Sequence, residues 1–162
     1  MEETYTIPGI SSITIAIDSI TFVKALYPRL REDDATIERY RTAIDLLPPI
    51  VIAREHVLVD GFHRLQAYRR EGRNSISAID VGNITDAEIF NESIRRNAGH
   101  GLQLSLRDKE NLATKLWQTY AHLLNADRVA EIAKLLAVST KSIERWTKDI
   151  RAREKEAQKE RA

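Results

Sequence analysis

The chain has 162 residues, of which 43% are hydrophobic and 30% charged, and its formal net charge is +1. These values are ordinary for a soluble protein and allow one domain with a real core, or one domain with a small appendage. The absence of cysteine excludes disulfides and cysteine-ligated zinc, and the four dispersed histidines form no spaced metal motif. No apolar run reaches membrane-spanning length, and the acidic N-terminus lacks the regions of a signal peptide. We therefore expect a cytoplasmic protein.

Strand and helix patterns alternate over the first hundred residues. Isoleucines at 13, 15 and 17 predict a strand. Residues 36–47 place apolar side chains on one helical stripe, which the two prolines at 48 and 49 end. Residues 50–53 and 57–59 then predict two strands around a turn at 54–56. A turn at Asp60-Gly61 leads into a helix to about Glu71, with Gly72 as its stop, and residues 76–81 predict another strand.

The remainder of the chain has helical patterns. Thr85 and Glu88 have the spacing of a capping box and predict a helix to about Arg96, which the segment 97–101 ends. Ser105 begins a further helix, and helical patterns follow to the end. We expect residues 151–162 to form a solvated helix or a frayed tail. The fold class is therefore α+β, with a mixed sheet and helices first and an all-α region after it.

The turn around Gly61 is the most informative feature of the sequence. A strand that passes through glycine into a helix presents free backbone N–H groups and the positive helix end at one point, which suits a phosphate. His63 and Arg64 add side-chain donors. Structural roles compete with these: Asp60 could cap the helix, Arg64 could form a surface ion pair, and His63 could hydrogen-bond the backbone.

Residues 128–150 have the pattern of a DNA-reading helix-turn-helix. Two apolar stripes, at 129–136 and 143–150, flank a three-residue turn that begins with Ala137, and Ser139 is a good N-cap for the second helix. Glycine is common where Ala137 lies, and alanine at a positive φ costs up to about 1 kcal/mol relative to it. The alternative is a plain helical hairpin. The outward residues suited to base edges and phosphates are Thr140, Lys141, Ser142, Arg145 and Lys148.

The order of these elements resembles the N-terminal domain of the ParB/sulfiredoxin superfamily, and the ParB-like partition proteins in particular. The resemblance rests on Pro28-Arg29, the segments 49–52 and 59–67, the run 92–96 and the following helix-turn-helix. The sulfiredoxin branch is disfavoured, because its chemistry needs a cysteine.

The resemblance implies a site for a nucleoside triphosphate, CTP or ATP, with magnesium. Asp60 is the candidate catalytic residue, and Asp60 and Glu92 are the candidate magnesium ligands. The residues implied in nucleotide binding are Arg29, Gly61, His63, Arg64, Glu92, Arg96, Asn97 and His100. Two departures from the partition proteins, Phe62-His63 and Ser93, bear on base preference and hydrolysis. The Asp60 to Arg64 pattern instead resembles a kinase-like, ATP-using branch.

The predicted function is DNA binding coupled to triphosphate binding, in plasmid, phage or mobile-element partition or in transcriptional control. An ATP- or CTP-hydrolysing or kinase-like enzyme is the first alternative, and a nuclease ranks lower because no dense carboxylate cluster is present. A palindromic DNA site would favour a homodimer, although no heptad seam predicts one. The predicted domains are 1–101 (nucleotide-binding), 102–152 (helical, DNA-binding) and 153–162 (a charged tail).

Overall fold

The computed structural model describes residues 11–29, 31–99 and 104–162. The chain divides into two compact units, Met1–Ser93 and Ile94–Ala162. Among the described residues, no helix combines the length and apolar character needed to span a bilayer.

A four-stranded mixed sheet forms the centre of the first unit. Its strands are β1 (Ile13–Ala16), β2 (Ile50–Ala53), β3 (Val57–Asp60) and β4 (Ser75–Asp80), in the order β1-β4-β2-β3. The central strands β2 and β4 run parallel, and the other two pairings are antiparallel. The predicted α+β class and the two strands around residues 54–56 are confirmed.

Each face of the sheet contributes to a hydrophobic core, and successive side chains of a strand point to opposite faces. Ile52 and Leu58 face a core that includes Leu65 of the helix after β3. Val51 and Val59 face a second core, which includes Ile89. All four residues of β2 are buried, and this explains why the strand is a continuous apolar run in the sequence.

The helices of this unit are α1 (Asp34–Arg41), α2 (Phe62–Arg70) and α3 (Asp86–Gly99), and the division between the units falls within α3. The predicted capping box is confirmed: the Thr85 amide donates to Glu88 Oε2 over 2.7 Å, and the Glu88 amide donates to Thr85 Oγ1 over 3.2 Å. The predicted break at 97 is wrong in its position, because α3 continues to Gly99.

The single helix predicted over residues 36–47 is also wrong. Helix α1 ends at Arg41, and residues Ile44–Leu46 form a separate 3₁₀ turn. Ala43, at φ −128° and ψ 34°, is not helical. The Thr42 hydroxyl donates to the Arg39 carbonyl over 2.7 Å, so that it competes for a carbonyl at the helix end.

Four helices make up the described part of the second unit after residue 103. They are α4 (Leu106–Thr119), α5 (Asn125–Leu136), α6 (Thr140–Trp146) and α7 (Lys148–Glu160). Ser105 caps α4 through a reciprocal capping box with Asp108. Helices α4 and α5 each bury one apolar face, α6 buries Ile143, and α7 has no buried residue. The fully buried side chains include Leu112, Leu116, Trp117, Ile132, Leu136 and Ile143.

Candidate functional site

Gly61 makes the turn between β3 and α2 possible. It is the N-cap of α2 and has φ +106°, a conformation that residues with a Cβ rarely adopt. A Cβ added at this position would lie 2.6 Å from Ile50 Cγ2, so the turn also packs tightly on β2. Glycine is therefore required by both backbone conformation and space.

Asp60 and Arg64 pair across this turn. Arg64 Nη2 donates to Asp60 Oδ2 over 3.0 Å, and their side chains are only 14% and 21% exposed. Arg64 Nη1 also donates to the carbonyls of Pro48 and Pro49, over 3.0 and 2.5 Å. The helix-capping interpretation of Asp60 is wrong, because its carboxylate accepts from Arg64 and α2 has no side-chain cap.

His63 is buried and accepts a hydrogen bond. The backbone N–H of Asp33 donates to His63 Nε2 over 3.0 Å, so the ring proton lies on Nδ1. Burial lowers the pKa of His63 below its usual 6.5, and the nearby Arg29 guanidinium lowers it further against a smaller opposing effect of Asp33. The neutral ring thus connects α2 to the N-cap of α1.

Of the first three backbone amides of α2, one has a hydrogen-bond acceptor among the described residues and two do not. The Phe62 N–H donates to the hydroxyl of Tyr27 over 3.2 Å. Burial, together with the charge of Asp60, raises the pKa of Tyr27 to about 12, so its hydroxyl stays protonated at neutral pH. Within the described part of the chain, the amides of His63 and Arg64 have no hydrogen-bond acceptor.

The other predicted nucleotide-binding residues lie on other parts of the chain, outside the turn at Gly61. Arg29 is half-buried and near enough to Tyr27 and His63 to affect the pKa of each. Glu92 lies on α3 in the first unit, whereas Arg96 and Asn97 lie on the part of α3 assigned to the second. His100 lies outside the described residues. Among the residues that the structure describes, no group of three or more His, Asp or Glu side chains is placed to hold a metal ion.

The second candidate region is the α5–α6 pair. Ala137 has φ +53°, and the Val138 amide donates to the Ala133 carbonyl while the Ala137 amide donates to the Lys134 carbonyl, over 3.0 and 3.3 Å. These two bonds form a Schellman motif, which ends α5 abruptly. Ser139 then caps α6 by accepting from the Ser142 amide over 3.2 Å.

Helix α6 has one buried residue and a polar outer surface. Ile143 is fully buried, which fixes the face that packs on the neighbouring helices. Ser142 is half-buried, and its hydroxyl lies 3.1 Å from that of Ser139. The remaining predicted DNA-binding residues are exposed: Thr140, Lys141, Arg145 and, at the start of α7, Lys148.

Two residues of these regions were not identified from the sequence. Tyr27 was missed because its contact with Phe62 joins residues 35 positions apart. Arg128 is buried on α5, in line with Ile132 and Leu136 at positions i+4 and i+8. A single cation on an otherwise apolar stripe was the available indication of a buried ion pair.

Charge is divided unequally between the two units. Residues Met1–Ser93 contain ten Lys and Arg against fifteen Asp and Glu, a net charge of −5. Residues Ile94–Ala162 contain fifteen Lys and Arg against nine Asp and Glu, a net charge of +6. The overall charge of +1 therefore conceals a basic helical unit.

Two curated proteins are similar to the chain, whereas no family model matches it. The transcriptional regulator NovG of Streptomyces niveus is 36% identical over 95 residues, 58% of this chain and 29% of that protein. A possible regulatory protein of the streptomycin biosynthesis operon of Streptomyces griseus is 31% identical over 117 residues, 70% of this chain and 32% of that protein. The chain thus spans about a third of the length of these relatives.

Solved structures show a likeness over most of the chain. A Pnob8-like ParB N-domain has a TM-score of 0.63 at 11% identity, over 85% of this chain and 68% of that one. C-terminally truncated ParB from Caulobacter crescentus, complexed to the centromeric parS site, has a TM-score of 0.60 at 15% identity, over 83% and 69%. The same protein complexed with CTP-γ-S has a TM-score of 0.51 at 16% identity, over 84% and 76%.

These likenesses define the class of the fold, which is that of ParB N-domains with a helical region after the sheet. The resemblance drawn from Gly61, Arg64 and the order of elements is confirmed at this level. The chain has the fold of ParB N-domains and is similar in sequence to two Streptomyces proteins described as regulators.

Proposed function

We propose that the chain is a DNA-binding regulatory protein in which α5 and α6 form a helix-turn-helix that reads duplex DNA. The single observation that carries the proposal is the geometry of this pair. A Schellman end, a three-residue turn and a capped second helix leave Lys141 and Arg145 exposed opposite the buried Ile143. This is the arrangement in which a recognition helix enters the major groove.

The charge of the second unit supports the same function. Its net charge of +6 favours association with a polyanion, and Lys148 extends the basic surface beyond the end of α6. Cations of this kind supply most of the sequence-independent affinity for DNA. Thr140 and Arg145 add the side-chain types that hydrogen-bond base edges.

The similar proteins favour gene regulation as the setting. Both Streptomyces relatives are described as regulators, and the ParB of Caulobacter crescentus was solved on parS DNA. We propose transcriptional control rather than partition, because the chain is more similar in sequence to the two described regulators than to the ParB proteins of known structure. The distant ParB structures, at 11% to 16% identity, support the fold.

We further propose that the Gly61 turn binds a nucleoside triphosphate with magnesium. The fit rests on the two amides of His63 and Arg64, which point from the N-terminus of α2 without an acceptor in the described chain. CTP-γ-S bound to the Caulobacter protein supports a nucleotide on this fold. Asp60 and Glu92 would hold the magnesium ion, which would neutralise phosphate charge.

In this proposal Arg64 and His63 bind the phosphates through their backbone amides, because their side chains already have other partners. The Arg64 guanidinium holds Asp60 and two carbonyls, and His63 Nε2 holds the Asp33 amide. Within the first unit, the side-chain donor for the phosphates would therefore be Arg29, which lies near enough to His63 to affect the pKa of its ring. This assignment differs from the side-chain role that the sequence pattern gave to His63 and Arg64.

Selection of duplexes from a random pool tests the DNA-binding proposal. We expect the parent protein to enrich a defined sequence. Arg145→Ala should relax the preference at one position, at a cost of about 1–3 kcal/mol if a bidentate base contact is lost. Arg107→Ala removes an exposed cation from α4 and is the control. No enrichment by a folded parent would contradict the proposal.

Binding of CTP, ATP and GTP, each with and without magnesium and DNA, tests the nucleotide proposal. Arg29→Ala should weaken binding about tenfold or more, the loss expected for a charge-assisted hydrogen bond to phosphate. Arg31→Ala removes an exposed arginine two positions along the chain and should bind as the parent does. Equal affinity of the two variants, or a parent that binds none of the three nucleotides, would reject the site.

A further inference from the structure

We propose that α7 is a clamp that fixes the orientation of α6 and thereby sets the affinity of α6 for DNA. The clamp consists of Glu154 and Arg151 on α7, Arg128 on α5 and Trp117 on α4. The inference rests on the proposed DNA-binding function and deepens it. Its members are positioning residues, because they act through α6.

Arg128 is the buried cation at the centre of the clamp. Its side chain is only 5% exposed, and its two terminal nitrogens donate to the two carboxylate oxygens of Glu154 over 3.2 and 3.3 Å. Arg128 Nη2 also donates to the backbone carbonyl of Trp117. A buried guanidinium must keep its partners, since an unpaired charge in this environment is strongly destabilising.

Trp117 connects α4 to the same carboxylate. The ring is fully buried, and its N–H donates to Glu154 Oε2 over 3.0 Å. The Arg128 guanidinium lies 3.8 Å from the centroid of the ring, within the range of a cation–π interaction. Burial raises the pKa of Glu154, but the hydrogen bonds from Arg128 and Trp117 outweigh it and hold the pKa below its usual value. Glu154 therefore remains an anion that joins three helices.

Arg151 lies one helical turn before Glu154 and holds α6. Its Nη2 donates to the backbone carbonyl of Glu144 in α6 over 2.8 Å. At the junction of α6 and α7, the buried Thr147 hydroxyl donates to the Ile143 carbonyl over 2.7 Å. Helix α7 thus contacts the C-terminal half of α6 through Arg151, and α4 and α5 through Glu154.

The consequence concerns the exposed face of α6. This helix has seven residues and only Ile143 fully buried, so its own packing area is small. A base contact needs donors placed to within a few tenths of an ångström of their acceptors. The contacts made by α7 supply the restraint that α6 lacks by itself.

Two glutamates of α7 provide a matched test. Glu154→Gln removes one negative charge and replaces one of the two carboxylate oxygens that accept from Arg128 with an NH2 group, which only donates. Glu156→Gln removes the same charge from an exposed position. Charge alone predicts unchanged or tighter DNA binding for both. We expect Glu154→Gln to weaken binding about threefold or more, and Glu156→Gln to bind at least as tightly as the parent.

Two arginines of α7 provide a second test with the opposite charge. Arg151→Met loses the bond to the Glu144 carbonyl, and Arg153→Met loses only an exposed cation. Both variants lose one positive charge. Any further loss of DNA affinity in Arg151→Met, compared with Arg153→Met, therefore measures the contribution of the clamp to DNA binding. Each variant is assayed at a temperature at which its circular dichroism equals that of the parent. If Glu154→Gln fails to fold, the arginine pair decides.

The outcomes separate the two proposals. A parent that binds duplex DNA, with Glu154→Gln equal to Glu156→Gln and Arg151→Met equal to Arg153→Met, overturns the clamp alone. A folded parent that binds no duplex overturns the proposed function, and with it the role of the clamp.

Discussion

At the scale of single residues, Gly72 is favoured by its backbone conformation alone, whereas Gly61 is required by both its backbone conformation and the lack of space for a Cβ. Both have a positive φ, +106° and +68°, but a Cβ at Gly61 would collide with Ile50, whereas nothing lies within 4 Å of one at Gly72. Gly61→Ala should therefore lower the free energy of unfolding by about 2 kcal/mol or more. Gly72→Ala should cost about 1 kcal/mol from the backbone alone. Equal losses in urea titrations of the two variants would contradict this account of the turn.

His63 gives the protein a sensitivity to acid. Its pKa in the folded state lies below the unfolded value of 6.5, so the unfolded chain binds the proton first as the pH falls. This contribution to stability is complete above about pH 6.5 and declines below it. His63→Gln should reduce the difference in unfolding free energy between pH 7.5 and 5.5, whereas His122→Gln, at an exposed position, should leave it nearly unchanged. Identical pH dependence in all three proteins would show that burial of His63 has no such effect.

The turn at Gly61 was predictable from sequence, but the partners of its side chains were not. Asp60 and Gly61 follow a β-rich run and precede a helix, which is a local pattern. The Asp33 amide that occupies His63 is 30 residues away, and the carbonyls that hold Arg64 are 15 and 16 residues away. Contacts over such separations depend on the fold. The phosphate-binding roles themselves stay predictions.

At the scale of elements, the end of α5 carries strain that a substitution can remove. Ala137 has a Cβ at φ +53°, in a position where glycine is the usual residue. Ala137→Gly should raise the free energy of unfolding by about 0.5–1 kcal/mol without changing DNA binding. Ala130→Gly, at an exposed position in the middle of α5, should lower it by about 0.5–1 kcal/mol. A loss of stability in both variants, measured by thermal unfolding, would contradict the strain at Ala137.

Helices and strands with strong local patterns were predicted well. The capped starts of α3 and α4, and the two strands around residues 54–56, follow from short-range sequence rules. The end of α1 was missed because an apolar stripe continues through Ile44 in a separate turn. The contribution of α7 was missed because its polar composition resembles a solvated tail, and Glu154 acts through residues 26 and 37 positions away.

At the scale of the whole molecule, the separation of charge supports the proposed function. A total of +1 gives no indication of nucleic-acid binding, yet the second unit carries +6 and the first −5. This division was only partly visible from sequence, because the boundary between the units lies inside α3 and no linker marks it. The basic unit is also the one that contains α6.

The dependence of duplex affinity on salt tests the central claim most directly. Affinity of the parent for duplex DNA should fall steeply with salt, with a slope that reports the number of phosphate contacts. The double variant Lys141→Ala/Arg145→Ala should flatten this slope by about one to two, and Arg107→Ala/Lys115→Ala, which removes two exposed cations from α4, should leave it close to that of the parent. Equal slopes for the two double variants, or a folded parent without salt-dependent affinity for any duplex, would contradict the assignment of α6 as the DNA-reading helix.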